Sequence, residues 1–145
     1  MEDLKAYLDE RLEENHFIQF VGLKLSHIEV GYAEMTLEIK KHHLQQNGFV
    51  HGGVTATILD VVTGIGAYTT VVKGKNVVTA DLKVSYLNPS TAKNILATGR
   101  VKKSGNFLVF CEGEVYDIFE DGSRKLVATC SSIMCAVDIP IVKVD

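Results

Sequence analysis

The spacing of apolar residues divides the chain into stretches of different period. Leu4, Leu8 and Leu12 recur at every fourth position with Tyr7 beside them, and Glu, Asp, Arg and Lys fill the other face. That spacing predicts an amphipathic helix over residues 3–15. Over residues 20–40 the pattern becomes that of strands. Met35, Leu37 and Ile39 alternate with Glu34, Thr36, Glu38 and Lys40, and Gly31-Tyr32 marks the turn before them. A polar loop over 42–47 comes next. Residues 52–72 are then apolar almost throughout, which predicts a long buried helix, and Gly74 breaks the chain after it.

The remainder reads as four strands. Val78, Ala80, Leu82, Val84 and Tyr86 alternate with polar neighbours until Asn88-Pro89-Ser90 ends the run. Strict alternation puts Thr79 on the opposite face from Leu82 and Val84. Residues 95–102 and 107–116 flank Ser104-Gly105-Asn106, a hairpin turn, and Asp121-Gly122 is a second one leading into 125–137. Strands grouped in runs, not interleaved with helices, imply an α+β fold with an antiparallel sheet. The central helix is apolar nearly all round, so that sheet must wrap it.

The 145 residues suit one domain, 46% hydrophobic and 23% charged. The N-terminal helix accounts for 1–16 and the core for 17–138. A net charge of -3 disfavours nucleic acid and anionic membranes as partners, and a phosphate-bearing ligand would need a local basic patch. The first residues lack a basic region followed by an apolar run, so no signal peptide is expected, and no stretch is long and apolar enough for a membrane span. Cys111, Cys130 and Cys135 form no C-x-x-C pair. Cys130 and Cys135 fall on opposite faces of one strand, which points to reduced thiols and a cytoplasmic protein.

Asp60 is the only charged residue between Gly52 and Val72. At about 100° per residue, Val54, Ile58, Val61, Val62 and Ile65 share one face. Asp60 lies more than a third of a turn away, among Ala56, Thr57, Thr63, Gly64 and Ala67. These small side chains leave room for a ligand. A carboxylate in such surroundings is costly unless it is paired or hydrogen-bonded, and the plain structural role is to bond backbone amides of the wrapping strands. The room beside Asp60 and the residues upstream favour a chemical role, because burial in general strengthens a carboxylate as a base.

Upstream, Gly52 and Gly53 open the helix. The first helical amides have no partner within the helix and sit at the positive end of its dipole, which suits an anion or a developing oxyanion. The plain alternative is that the glycines permit a tight turn or close packing. Gly52 and Asp60 are eight residues apart, about 12 Å along a helix. An oxyanion donor and a base must both lie within about 3 Å of the reacting groups. One helix therefore does not supply both to one carbonyl. A twofold dimer with its long helices antiparallel would.

The run His43-Leu44-Gln45-Gln46-Asn47-Gly48-Phe49-Val50-His51-Gly52-Gly53, followed by Asp60, resembles the hotdog-fold thioesterases of the phenylacetate-pathway (PaaI-like) group. The later Thr79-Ala80-Asp81-Leu82-Lys83-Val84-Ser85-Tyr86-Leu87-Asn88-Pro89 is similar to that family's strand after the helix. The resemblance covers roughly residues 20–137. It implies a hotdog fold, a central helix wrapped by a curved antiparallel sheet of about six strands. It also implies paired subunits with a continuous sheet, often paired again into tetramers, and hydrolysis of acyl-CoA without metal or organic cofactor. Asp60 takes the place of the family's base or nucleophile, Gly52 of the glycine whose N–H polarises the thioester carbonyl, and His51 of a histidine that supports the loop. Thr79 matches a residue that positions the attacking water. Gln45 stands where many members have Asn, with Asn47 nearby.

On this basis Asn47, Gly48 and Gly53 are expected to contact substrate. The acyl chain is expected near Ile58, Leu59, Val62 and the small side of the helix. The CoA phosphates need cations, for which Arg100, Lys102 and Lys103 before the Ser104-Gly105 turn are favoured over Lys73 and Lys75. The His42, His43, His51 and Asp60 set lacks the ligand spacing of a helical zinc motif, and no G-x-S-x-G elbow is present. The rival functions are an enoyl-thioester hydratase or dehydratase using His51 with Asp60, and a non-catalytic acyl-CoA-binding module.

Overall fold

The computed structural model describes residues 2–139. Two N-terminal helices, α1 (Glu2–Glu13) and α2 (His16–Val21), precede strands β1 (Lys24–Glu29) and β2 (Tyr32–Glu38). A 3-10 turn at Lys41–His43 leads to the long helix α3 (Gly52–Tyr68), and then come β3 (Asn76–Tyr86), β4 (Asn94–Ser104), β5 (Leu108–Ile118) and β6 (Arg124–Val137). All six strands form one antiparallel sheet in the order β1-β2-β4-β5-β6-β3. α3 packs against β2 through β6.

The N-terminal helix expected over 3–15 stops at Glu13, and the strands expected from residue 20 begin at Lys24. Asn15 causes the break. Its Oδ1 accepts the Ile18 N–H at 3.0 Å, which caps a new helix in place of the old one. Phe20 and Val21 therefore lie in α2 and not in a strand. Leu8, Ile18 and Val21 turn inward and join the main core.

Of the apolar face of α3, Ile58, Val62 and Ile65 are buried, as are Thr55, Leu59, Thr63, Gly66 and Ala67 beside it, whereas Val54 and Val61 are only half-buried. A Cβ on Gly99 of β4 would lie 2.6 Å from the Val62 carbonyl oxygen. Strand and helix backbones thus touch at that point, which the missing side chain of Gly99 permits.

The alternation expected in β3 does not hold. Thr79 pairs with Met134 and Asp81 pairs with Ile133, so Ala80 is an extra residue on β3. This β-bulge shifts the phase by one. Met134, Ser132 and Cys130 point inward, and they stand opposite Thr79, Leu82 and Val84. Thr79 consequently shares the face of Leu82 and Val84, toward α3. β3 is an edge strand, 11 residues long, with Val78 and Tyr86 exposed.

Candidate active site

The bulge delivers the Thr79 hydroxyl to the carboxylate on α3. Thr79 Oγ1 donates to Asp60 Oδ1 at 2.6 Å. Asp60 Oδ2 accepts no hydrogen bond among the described residues. The pair lies in a groove of about 300 Å3 between the two N-terminal helices, α3 and the start of β3. Gly64, one turn beyond Asp60, lines the same groove.

The helix start forms a second, separate groove of about 330 Å3, lined by Gly52, Gln45 and Tyr86 among others. His51 is the N-cap, and its Nδ1 accepts the Gly53 N–H at 2.9 Å. That bond corrects one expectation, because the Gly53 amide is already taken. The Gly52 N–H has no acceptor among the described residues. The Gly52 carbonyl accepts the Tyr86 hydroxyl at 2.6 Å, and a Cβ on Gly52 would meet the Tyr86 ring at 3.4 Å. The Tyr86 side chain thus holds the helix start while the Gly52 amide stays open.

The preceding loop is fixed from behind. Gln45 Oε1 accepts the Asn47 N–H, the Gln45 N–H donates to Phe49 O at 2.8 Å, and Gly48 N donates to Gln45 O at 3.0 Å. Asn47 and Gly48 are therefore a turn that presents Gln45 to the Gly52 groove. His43 is buried. Its Nδ1 accepts the Lys40 N–H at 2.8 Å, so Nε2 donates to Val21 O at 2.7 Å, and both ring nitrogens are committed to structure. Its carbonyl also accepts the His51 N–H at 2.8 Å.

Other expected contacts lie elsewhere. Ile58, Leu59 and Val62 are 0% exposed and pack into the core, so they line no substrate path. The Arg100 guanidinium stacks over Tyr32 at 4.6 Å, on the sheet face away from α3, and Lys102 approaches Glu112 at 3.7 Å. Lys103 is exposed after a β4 bulge, beside Ser104. The Gly105 N–H donates to Leu108 O at 2.8 Å and is used by its own hairpin. None of these residues reaches either groove. Lys73 and Lys75 border a third hollow that shares Arg11, Tyr68 and Asn76 with the Asp60 groove, and Lys75 pairs with Asp138 at 2.7 Å.

Three features had no role assigned from the sequence. Tyr86 buttresses the helix start, as described. Asp117, 0% exposed, accepts from Ser90 Oγ at 2.5 Å, Thr91 N at 2.8 Å and Ala92 N at 3.3 Å. Ser90 O in turn accepts the Val50 N–H at 3.1 Å, which ties Asp117 to the turn before Gly52. The signal was present, since Asp117 continues the inward phase of Val109, Cys111 and Val115. The third is a cluster at the far end of the Asp60 groove. Arg11 donates to the Tyr7 hydroxyl and to Asn76 Oδ1, each at 3.1 Å, and the Tyr7 and Tyr68 hydroxyls lie 3.2 Å apart. Bonds to Tyr68 and Arg11 draw the Tyr7 hydroxyl below its ordinary pKa, while burial and the bond to Tyr7 push Tyr68 above it.

A carboxylate with a free oxygen and a helix start with an open amide are groups of the kind acyl transfer uses. Residues 47–119, just over half of the chain, match the family described as the Thioesterase superfamily. The chain belongs to that superfamily, and thioester hydrolysis is the activity class that membership supports. Human acyl-coenzyme A thioesterase 13 is 28% identical over 93 residues, which are 63% of this chain and 64% of that protein. Among solved structures, a thioesterase family protein from Silicibacter pomeroyi matches with a TM-score of 0.85 at 24% identity, covering 88% of this chain and 93% of that one. The E. coli PaaI protein from the phenylacetic acid degradation operon matches with a TM-score of 0.76 at 18% identity, covering 92% of this chain and 94% of that one. The fold is thus the hotdog fold expected from the sequence.

Proposed function

We propose that the protein hydrolyses an acyl-CoA thioester to a free acid and CoA, in a site shared by two subunits. The observation that carries this reading is the separation of the two half-sites. Asp60, held by Thr79, opens on one groove, and the free Gly52 amide opens on another. A twofold pairing along the unpaired edge of β3, with the α3 helices antiparallel, brings Asp60 of one subunit to Gly52 of the other. The relationship to an acyl-coenzyme A thioesterase supports CoA as the thiol. Three free cysteines fit a cytoplasmic protein.

In this reading the thioester carbonyl oxygen accepts from the Gly52 N–H, with the Gln45 amide beside it. Asp60 removes a proton from water as the water oxygen bonds to the carbonyl carbon. The tetrahedral oxyanion then reforms the carbonyl, the carbon–sulfur bond breaks, and Asp60 returns the proton to the departing thiolate. Direct attack by Asp60, giving a mixed anhydride that water then opens, uses the same placement. Thr79 acts as a positioning residue for Asp60.

The test begins with free-thiol release from aryl and aliphatic acyl-CoAs. Wild type should release CoA from at least one of them. Asp60→Asn should lose about 100-fold or more. Gly52→Pro removes the N–H at the first helical position, where proline is well accommodated; its Cβ would meet the Tyr86 ring at an ordinary 3.4 Å, and His51 is already extended as a residue before proline must be. That variant should lose about 100- to 1000-fold. Mixed dimers of the two inactive variants should regain activity, because one of their two sites carries neither change. Absence of that recovery in proven mixed dimers would sink the shared site. Absence of thiol release from every substrate would sink the hydrolysis.

A further inference from the structure

The groove beside Asp60 extends well past the carboxylate. From the carboxylate it runs along α3 toward Tyr68, with apolar walls from Leu8, Leu12, Ile18, Ile65 and Val77. The Arg11–Tyr68–Asn76 cluster stands at its far end, between this groove and the hollow bordered by Lys73 and Lys75, and Tyr7 braces it from α1.

Gly64 supplies an independent observation. A glycine inside a helix weakens it, so a packing reason is expected. Gly66 lies against the sheet, where a Cβ would touch Gly99 O at 3.4 Å, the near limit of ordinary contact. Gly64 has no such neighbour. A Cβ there would meet only Met134 Cε, at the ordinary distance of 3.8 Å. Helix–sheet packing does not demand the missing side chain. Its absence deepens the groove one turn beyond the catalytic carboxylate.

Resting on the thioester hydrolysis proposed above, we infer that this groove holds the acyl chain, that Gly64 sets its bore, and that the Tyr7–Arg11–Tyr68–Asn76 cluster sets its length. The substrate class is apolar acyl thioesters of limited length. Asp60 and Tyr68 are eight residues apart, about 12 Å along the helix. An extended chain advances roughly 1.2 Å per bond, as the polypeptide does at about 3.6 Å per three bonds. The groove therefore takes a straight chain of about ten carbons.

The experiment is a chain-length series of saturated acyl-CoAs, from acetyl to palmitoyl, with Gly64→Leu, the milder Gly64→Ala and Tyr68→Ala. Folding of each is checked by thermal melting. Affinity for non-hydrolysable S-alkyl-CoA thioethers of the same lengths is measured alongside. Wild-type kcat/KM should peak at or below about ten carbons and fall at least about tenfold by palmitoyl, as expected when a chain outruns its pocket. Gly64→Leu should lower the decanoyl-to-acetyl ratio by about 30-fold or more, and Gly64→Ala should lower it less. Tyr68→Ala should move the optimum to longer chains. Thioether affinities should follow the same order. If thiol is released but no variant changes the length profile, the groove assignment is overturned and hydrolysis stands. If no thiol is released but thioether affinity follows the predicted order, the groove stands and hydrolysis falls. If neither release nor length-dependent affinity is seen, both are overturned.

Discussion

Asp60 and Asp117 are both acids set among apolar residues, and their surroundings differ completely. Asp117 has no solvent exposure and accepts from a serine hydroxyl and two backbone amides, with Lys125 Nζ 3.6 Å away. Its acceptor capacity is spent on holding residues 90–92. Asp60 accepts from one hydroxyl, lines a groove, and has no donor on its other oxygen among the described residues. A saturated carboxylate fixes structure, whereas a carboxylate held on one side and open on the other is equipped for chemistry. The count of donors separates the two roles better than burial does.

The largest effect should come from Asp117→Ala. It would strand a buried hydroxyl and two amides, at about 1–3 kcal/mol for each unsatisfied group. Loss of about 3–5 kcal/mol of stability is expected, measured by denaturant unfolding, with activity failing as the 88–92 loop lets go of Val50. Asp60→Asn should show the reverse pattern. The amide oxygen still accepts from Thr79, so stability should stay within about 0.5 kcal/mol of wild type while turnover collapses. If Asp60→Asn unfolds the protein, or Asp117→Ala leaves it intact, the distinction between the two acids fails. A smaller change should follow Ser90→Ala, which removes one hydrogen bond to the buried carboxylate. It should cost about 2 kcal/mol of stability, because the backbone link from Ser90 O to Val50 N survives.

How legible these roles were in the sequence depended on whether each signal was periodic. The apolar run gave α3 its start at Gly52, and alternation located the strands, because both follow from which faces are buried. The separation of Gly52 from Asp60 was also legible, since both lie on one helix eight residues apart. Asn15 splitting the first helix was not, because the leucine period continues smoothly up to it and only a cap bond decides the break. The close approach of α3 to β4 was hidden as well. It depends on Gly99 meeting Val62, a contact between residues distant in sequence. Asp117 was readable in principle as an acid in the inward phase of β5. Its partners come from another loop, which no local pattern reveals.

The bulge at Ala80 is the sharpest case, and it leads to the smallest effect expected here. Regular alternation turns Thr79 away from α3, and one extra residue turns it back to within 2.6 Å of Asp60. Thr79→Val keeps the shape and the strand preference but removes the donor. If the hydroxyl only holds the carboxylate in its working rotamer, the loss should be about 1.4 kcal/mol, or about tenfold in kcat, with KM little changed. Thr79→Ser should restore most of it, since the serine hydroxyl occupies the same inward position. A Thr79→Val variant as inactive as Asp60→Asn would mean that the hydroxyl contacts the reacting atoms. An unchanged kcat would mean that the wall of the groove alone orients Asp60, and that the bulge serves the packing of Met134 instead.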